Sequence, residues 1–387
     1  MDNGEWRRRG CFMHRIACVV GTRPEAIKMA PLVRLLKEDG RFAVTVLASG
    51  QHADMLQQAL AHFRIAVDVN LNVMRERQTL DHVTSAVLLG VGAFLDGSPQ
   101  DMLLVHGDTT TTFGAALAGF YRGVPVGHVE AGLRSHNMAI PFPEEANRVL
   151  VDRLASLFFA PTPGDAENLR REGVSEDRIF VTGNTVIDAL LWTLGNLGRA
   201  EVLDGVPEDG PLVLMTAHRR ESWGEPLARI CRGVAALVEA HPEVRVLAPL
   251  HKNPAVREVV HRELGGLPRV LLTEPLSYPD FVSVMNRSLF IVSDSGGIQE
   301  EASALRKPVL ILRDLSERPE AIASGTGVLV GTDPEAILRE SLRLLEDPDY
   351  RGTFSKRGMP FGDGRASVRI RDILLDYLDS LAGGIGG

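Results

Sequence analysis

Cysteine is scarce in this chain. Three in 387 residues, Cys11, Cys18 and Cys231, form no metal-ligand spacing, which points to reduced, structural thiols and a cytoplasmic protein. Basic residues are also in deficit. Lys+Arg 42 against Asp+Glu 50 leaves a net charge of −8, which excludes broad attraction to nucleic acid. A bound anion must then be met by local basic clusters. No apolar run is long enough for a membrane span. Met1–Phe12 contains Arg7-Arg8-Arg9 with no long apolar stretch behind it, so a signal peptide is not expected. Residues 1–13 read as a solvated N-terminal extension, with Met13 an alternative start. Internal repeats and low-complexity tracts are absent. Neither HExxH nor CxxC occurs, and the pair Gly296-Gly297 has the spacing of neither a P-loop nor a dinucleotide fingerprint. Nothing therefore calls for a metal, NAD or ATP hydrolysis.

What is present is a regular alternation of short β-branched runs with longer helical patterns, as in parallel sheets wrapped by helices. Strands are expected at 16–20, 44–48, 102–106, 126–129, 157–160 and 179–181. The series restarts at 212–216, 244–248, 270–272, 289–292, 309–312 and 328–330. Helices fall between them, among them 26–38, 110–121 and 144–154. At 387 residues two domains are the natural division. The fold class read from this pattern is α/β, with two doubly wound, Rossmann-like domains facing each other across a cleft. The first domain is expected over 14–197 and the second over 211–365. The stretch 198–210, rich in Gly, Pro and acid, is the expected linker. A last helix at about 366–382 is expected to pack back on the first domain. Right-handed crossovers would set the strand C-termini of each domain along one edge.

The polar motifs fall at those strand ends. Gly21-Thr-Arg-Pro-Glu-Ala-Ile-Lys-Met-Ala-Pro31 follows the first strand, and its turn would aim main-chain N–H groups, Arg23 and Lys28 at one anion, such as a phosphate. His106-Gly-Asp108 ends another strand, where an N-cap is the competing reading for Asp108. His128-Val-Glu130 ends the next. Glu130 has no evident structural duty, and burial near other acids would raise its pKa into a useful range. In Pro143-Glu144-Glu145-Ala-Asn147-Arg148, dipole complementarity accounts for one acid, and the neighbouring Asn and Arg point to a wider network around Glu144. His218 sits between a strand end and Arg219-Arg220, and His251 repeats the theme more weakly. Ser293-Asp-Ser295-Gly296-Gly297 opens a helix onto which a diphosphate could approach, with Ser295 as hydroxyl donor and Glu301 facing ribose hydroxyls. Arg318-Pro-Glu adds a cation at a further helix start.

Taken together, these motifs resemble the bacterial non-hydrolysing UDP-N-acetylglucosamine 2-epimerases. The resemblance runs in order over about 15–330: GTRPEAIKMAP, HGDTTT, HVEAGLRS, PEEANR, GNTVIDAL, HRRES, SDSGGIQEEA and ERPEA. It implies a GT-B-like pair of Rossmann domains and interconversion of UDP-GlcNAc and UDP-ManNAc without cofactor or metal. The implied route is anti-elimination of UDP to 2-acetamidoglucal, then readdition, supplying ManNAc for cell-surface polysaccharide. It further implies that Asp108, Glu130, Glu144 and His218 are catalytic. Arg23, Lys28, Ser295, Gly296, Gly297, Glu301 and Arg318 would contact the nucleotide, with Phe281 close to uracil. A second, allosteric UDP-GlcNAc subsite would be lined by Gln51, Arg77, Arg219 and His251, although Ala53-Asp54 departs from the usual residues there. The family's habit is a cytoplasmic homodimer. The competing readings are a glycosyltransferase of the same fold, a hydrolysing epimerase and a non-catalytic nucleotide-sugar sensor.

Overall fold

The computed structural model describes residues 13–384 apart from 51–52, 74, 76–77, 208–209, 220–221 and 315–317. Arg7–Arg9, Cys11, Gln51, Arg77 and Arg220 lie outside the described residues. The chain divides into two compact units, Met1–Ala189 with Gly362–Gly387, and Leu190–Phe361.

The first unit holds strands β1 (His14–Val20), β2 (Phe42–Ala48), β3 (Val69–Asn70), β4 (Met102–His106), β5 (Val126–Val129), β6 (Leu157–Ala160) and β7 (Ile179–Val181). Between and around them run α1 (Arg23–Glu38), α2 (Ala53–His62), α3 (Leu80–Gly97), α4 (Thr110–Tyr121), α5 (Glu144–Leu154), α6 (Pro163–Arg171) and α7 (Thr185–Leu194). The strands form one parallel sheet in the order β3-β2-β1-β4-β5-β6-β7. Helices cover both faces of such a sheet, so its strands can be apolar throughout. All of β4, Met-Leu-Leu-Val-His, is buried.

The second unit repeats the plan. Its strands are β8 (Leu212–Thr216), β9 (Arg245–Pro249), β10 (Val270–Thr273), β11 (Phe290–Ser293), β12 (Val309–Ile311) and β13 (Gly327–Leu329), parallel in the order β10-β9-β8-β11-β12-β13. Its helices are α8 (Glu225–Ala240), α9 (Pro254–Leu264), α10 (Tyr278–Arg287), α11 (Gly296–Ala304), α12 (Pro319–Ala323), α13 (Pro334–Glu346) and α14 (Pro348–Ser355). The last helix, α15 (Ala366–Gly384), belongs to the first unit, where it packs on α1. Asp188 anchors its start by accepting from the main-chain N–H groups of Ala366 (3.1 Å) and Ser367 (2.8 Å), and His14 Nε2 meets Asp379 at 2.8 Å.

The change of unit falls between Ala189 and Leu190, inside α7, and not at the expected linker 198–210. The apolar run Val186, Ile187, Ala189, Leu190 is buried straight across that point, so the sequence carries no mark of it. The Gly- and Pro-rich stretch is instead part of the second unit. It contains a short 3-10 turn, Glu201–Leu203, packed on α10, and Arg287 donates to the carbonyls of Pro207 (2.7 Å) and Gly210 (2.9 Å). The second unit likewise ends at Phe361 rather than 365.

In both sheets the strand order reverses once, between β1 and β4 and between β8 and β11. A doubly wound sheet leaves a crevice at such a switch point, beyond the strand C-termini, and ligands bind there. The motifs after β1, β4, β8 and β11 border these two places, and Glu130, after β5, and Arg318, after β12, lie one strand away.

Candidate active site

At the first switch point the turn after β1 is already occupied. Glu25 is buried, and its Oε2 accepts from the main-chain N–H groups of Gly21 (3.0 Å) and Thr22 (2.5 Å). Its Oε1 takes the hydroxyls of Thr109 (2.7 Å) and Thr112 (2.9 Å). Thr22 completes a capping box on α1. The expected main-chain anion cradle is therefore filled by the chain's own carboxylate. The turn is also tightly packed: a Cβ on Gly21 would lie 2.4 Å from Thr111 Oγ1. Lys28 Nζ is bonded to Glu130 Oε2 at 2.5 Å, so this cation reaches across to the end of β5.

Asp108 follows β4. The N-cap of α4 is Thr109, whose hydroxyl accepts from Thr112 N at 3.1 Å, so capping is not the duty of Asp108. Its carboxylate instead pairs with the buried guanidinium of Arg148, and its carbonyl accepts from Asn147 Nδ2 at 2.9 Å. Glu130, after β5, has φ +67°, a left-handed conformation that costs a non-glycine residue about 1–3 kcal/mol. It is bonded to a cation, Lys28, where acidic neighbours were expected, and His106 Nε2 lies 3.0 Å from the same oxygen. Glu144 opens α5, half-buried. Among the described residues it makes no hydrogen bond or ion pair. Glu145 is structural: it is buried and accepts from the N–H groups of Ser135 and His136, both at 2.9 Å, and from Arg148 Nη1 at 3.1 Å.

The second unit gathers its own set. Ser295 is the N-cap of α11 but makes no side-chain cap bond, and a Cβ on Gly297 would meet nothing within 4 Å. Two guanidiniums flank this helix start. A Cβ on Gly296 would lie 3.7 Å from Arg219 Nη2 and 3.8 Å from Arg318 Cζ. Arg318 is held by the buried carboxylate of Glu300, and Glu301 Oε1 takes the Tyr278 hydroxyl at 2.8 Å. Phe281 is half-buried on the same helix as Tyr278, α10.

His218 follows β8. Asp294 Oδ2, fully buried at the end of β11, accepts from the main-chain N–H groups of His218 and Arg219, both at 2.9 Å. Its Oδ1 lies 3.6 Å from His218 Nδ1. The His218 ring stacks on His251 (centroids 5.7 Å apart, planes 14° apart). Burial first, then the neighbouring His218 charge, holds His251 below the ordinary imidazole range, with Asp294 opposing. The residues assigned from the resemblance to an allosteric subsite, Arg219 and His251, thus adjoin His218 and the α11 N-terminus.

A family model described as UDP-N-acetylglucosamine 2-epimerase matches residues 34–375. The UDP-N-acetylglucosamine 2-epimerase of Salmonella typhimurium is 46% identical over 375 residues, covering 95% of this chain and all of the relative. The chain belongs to the UDP-N-acetylglucosamine 2-epimerase family. Its Bacillus subtilis relative of the same name is 48% identical over 361 residues, 93% of this chain and 95% of the relative. The crystal structure of the Neisseria meningitidis UDP-GlcNAc 2-epimerase bound to UDP-GlcNAc superposes with a TM-score of 0.89 at 42% identity, covering 94% of this chain and all of that one. This 2-epimerase family member thus shares the α/β fold of those relatives along nearly its whole length.

Four residues at these sites were not singled out by their sequence. Glu25 looks like a first-turn acid, and only the tertiary approach of Thr109 and Thr112 reveals its task. His106 and Asp294 sit inside quoted motifs, yet nothing in their spacing marks them off from their neighbours. Tyr278 lies three residues before Phe281, one turn of helix, which was the available signal. Among the described residues, no three His, Cys, Asp or Glu side chains form a group that could hold a metal ion. No described helix is long and apolar enough to cross a membrane.

Proposed function

We propose that this chain interconverts UDP-GlcNAc and UDP-ManNAc at C2 by anti-elimination of UDP and readdition, without hydrolysis. The observation that carries the reading is the division of labour between the two switch points: carboxylates at the first, an uncapped helix start flanked by two guanidiniums at the second. The C2 proton of the sugar is a weak acid. Its removal needs a placed carboxylate and a leaving group whose developing charge is stabilised. As a carboxylate takes that proton, the C1–O bond to UDP breaks and its electron pair leaves with the diphosphate, giving 2-acetamidoglucal. UDP oxygen then returns to C1, and a proton is delivered to the opposite face of C2.

Inversion needs proton-transfer groups for both faces, and Asp108, Glu130, Glu144 and His218 are the set assigned to that work. Arg148 and Lys28 fix the directions of the first two carboxylates. The start of α11, with Ser295, Arg219 and Arg318, is assigned to the diphosphate, whose charge a helix N-terminus favours. The resemblance assigns Arg23 and Lys28 to the nucleotide as well, with Lys28 also bonded to Glu130. Glu301 is assigned to the ribose hydroxyls, steadied by Tyr278, and Phe281 to the uracil. Family membership alone supports the remaining parts of the proposal: a cytoplasmic homodimer with a second UDP-GlcNAc subsite.

Incubation with UDP-GlcNAc in heavy water, followed by NMR, tests the reaction. UDP-ManNAc deuterated at C2, with no free sugar, is the expected product. Free ManNAc would establish the hydrolysing reaction instead, and absence of C2 exchange would remove epimerisation.

A further inference from the structure

Beneath the loops that bear Asp108 and Glu130 lies a buried pair that no step above uses. His128, in β5, has no exposed surface. Its Nε2 is 2.8 Å from the carbonyl oxygen of Gly107. A carbonyl can only accept, so Nε2 carries a proton. Its Nδ1 is 2.5 Å from Asp152 Oδ1, on α5. A proton must lie on that contact too, because a bare nitrogen lone pair would repel a carboxylate oxygen at this distance.

The surroundings decide where that proton sits. Asp152 Oδ2 accepts from Arg134 Nη2 at 2.7 Å and from the main-chain N–H of Gly132 at 3.3 Å, which favours the ionised carboxylate. Arg134 also grips Glu172, at the C-terminus of α6, through Nε (2.7 Å) and Nη2 (2.9 Å). Arg153 reaches Glu172 from the exposed side at 3.6 Å. The residues in register with His128 on the flanking strands, Val105 and Phe158, are apolar. With His128 protonated, the core group of His128, Arg134, Asp152 and Glu172 is neutral. With His128 neutral, the fully buried Asp152 carboxylate would keep only Arg134, whose charge it shares with Glu172. Burial works to raise the Asp152 pKa, but the charges of His128 and Arg134 outweigh it and hold the carboxyl below its ordinary range.

We propose that His128, donating from both ring nitrogens, is with Asp152 a positioning residue that ties together the two turns bearing Asp108 and Glu130. On one side it holds the carbonyl of Gly107, whose φ of +66° turns that peptide inward just before Asp108. On the other, Asp152 holds the N–H of Gly132, two residues after Glu130 and itself at φ +87°. The pair touches no substrate; it sets the spacing of the two carboxylates. A displacement of about 1 Å of a reacting group is enough to cost about a hundredfold in rate. The inference rests on the epimerase reading for its functional half only.

The test has one arm that needs no activity. The 15N spectrum of ring-labelled histidine in the unaltered protein at pH 8 should show a residue with both ring nitrogens protonated and protected from exchange, a signal that is lost in His128→Phe. A neutral pattern for the buried residue at pH 8 would overturn the proposal whatever the enzyme does. In the second arm, His128→Phe should lower kcat about 100-fold with KM and UDP affinity unchanged. His128→Gln, which can still donate to Gly107, should recover part of that loss. A folded His128→Phe protein with kcat within about twofold of normal, or one altered only in KM, would also overturn it. If His128→Phe does not fold, Asp152→Asn supplies the same kcat and KM comparison. Should the unaltered protein prove inactive on UDP-GlcNAc, the epimerase reading fails, while the NMR arm still decides the charge of His128.

Discussion

The turns after β1 and after β11 lead into helices at equivalent edges of two similar sheets, yet they present opposite surfaces. After β1, the main-chain N–H groups of Gly21 and Thr22 are consumed by Glu25. After β11, the start of α11 has no side-chain cap and stands between Arg219 and Arg318. The backbone geometry of a Rossmann turn therefore does not by itself make an anion site. What decides is whether the chain supplies an anion of its own. Where it does, the turn becomes a rigid support for groups on neighbouring loops. Where it does not, the helix start is left without a side-chain cap and two guanidiniums stand beside it.

The comparison can be broken most forcefully through Asp108. Asp108→Asn should fold, because Arg148 keeps its bond to Glu145, and should bind UDP normally. Turnover should drop by about 100- to 10,000-fold, the usual worth of a placed acid or base. Wild-type turnover in that variant would take the chemistry away from the first unit. Arg318→Lys keeps a charge against the buried Glu300 but loses the guanidinium fork. Titration calorimetry should show UDP affinity weakened about 10- to 150-fold, matching one charge-assisted hydrogen bond of about 1.5–3 kcal/mol.

A pair of glycine substitutions sharpens the contrast directly. Gly21→Ala drives a methyl into Thr111 and should cost about 1–3 kcal/mol in chemical denaturation, with UDP affinity unaltered in the protein that remains folded. Gly297→Ala meets open space, so stability should hold while UDP affinity falls about tenfold. Equal effects of the two on affinity would erase the distinction between the turns. The smallest effect belongs to the stacked pair of the second unit. His251 is held below its ordinary pKa, so the folded state resists its protonation. Its stabilising share is complete above the ordinary imidazole pKa and is lost as pH falls through and below that value. Melting curves between pH 8 and 5 should therefore flatten slightly in His251→Gln.

Most strands are legible because a parallel strand buried on both faces must be a short apolar run, as at 102–106, 126–129 and 212–216. β3, Val69–Asn70, escapes because two residues carry no period. The positions of Asp108, Glu130, Ser295 and His218 follow from the rule that loops at strand C-termini carry chemistry. Their partners do not follow. Glu25 meets Thr109 and Thr112 across more than eighty residues, and Asp294 meets His218 across 76. Such contacts are set by sheet order, which local periodicity does not encode. The left-handed φ of Glu130 is hidden for the same reason, since the strain is sustained by tertiary bonds.

The return of the chain to the first unit at Gly362 has a consequence for the order in which the molecule is made. Residues 190–361 are all synthesised before α15, and until α15 docks the first unit still shows the flank of α1 that it covers. A released chain truncated at residue 361 would combine the full length of the second unit with a first unit lacking its final helix. Surveillance by chaperones or proteases at that stage would fall on the part synthesised first.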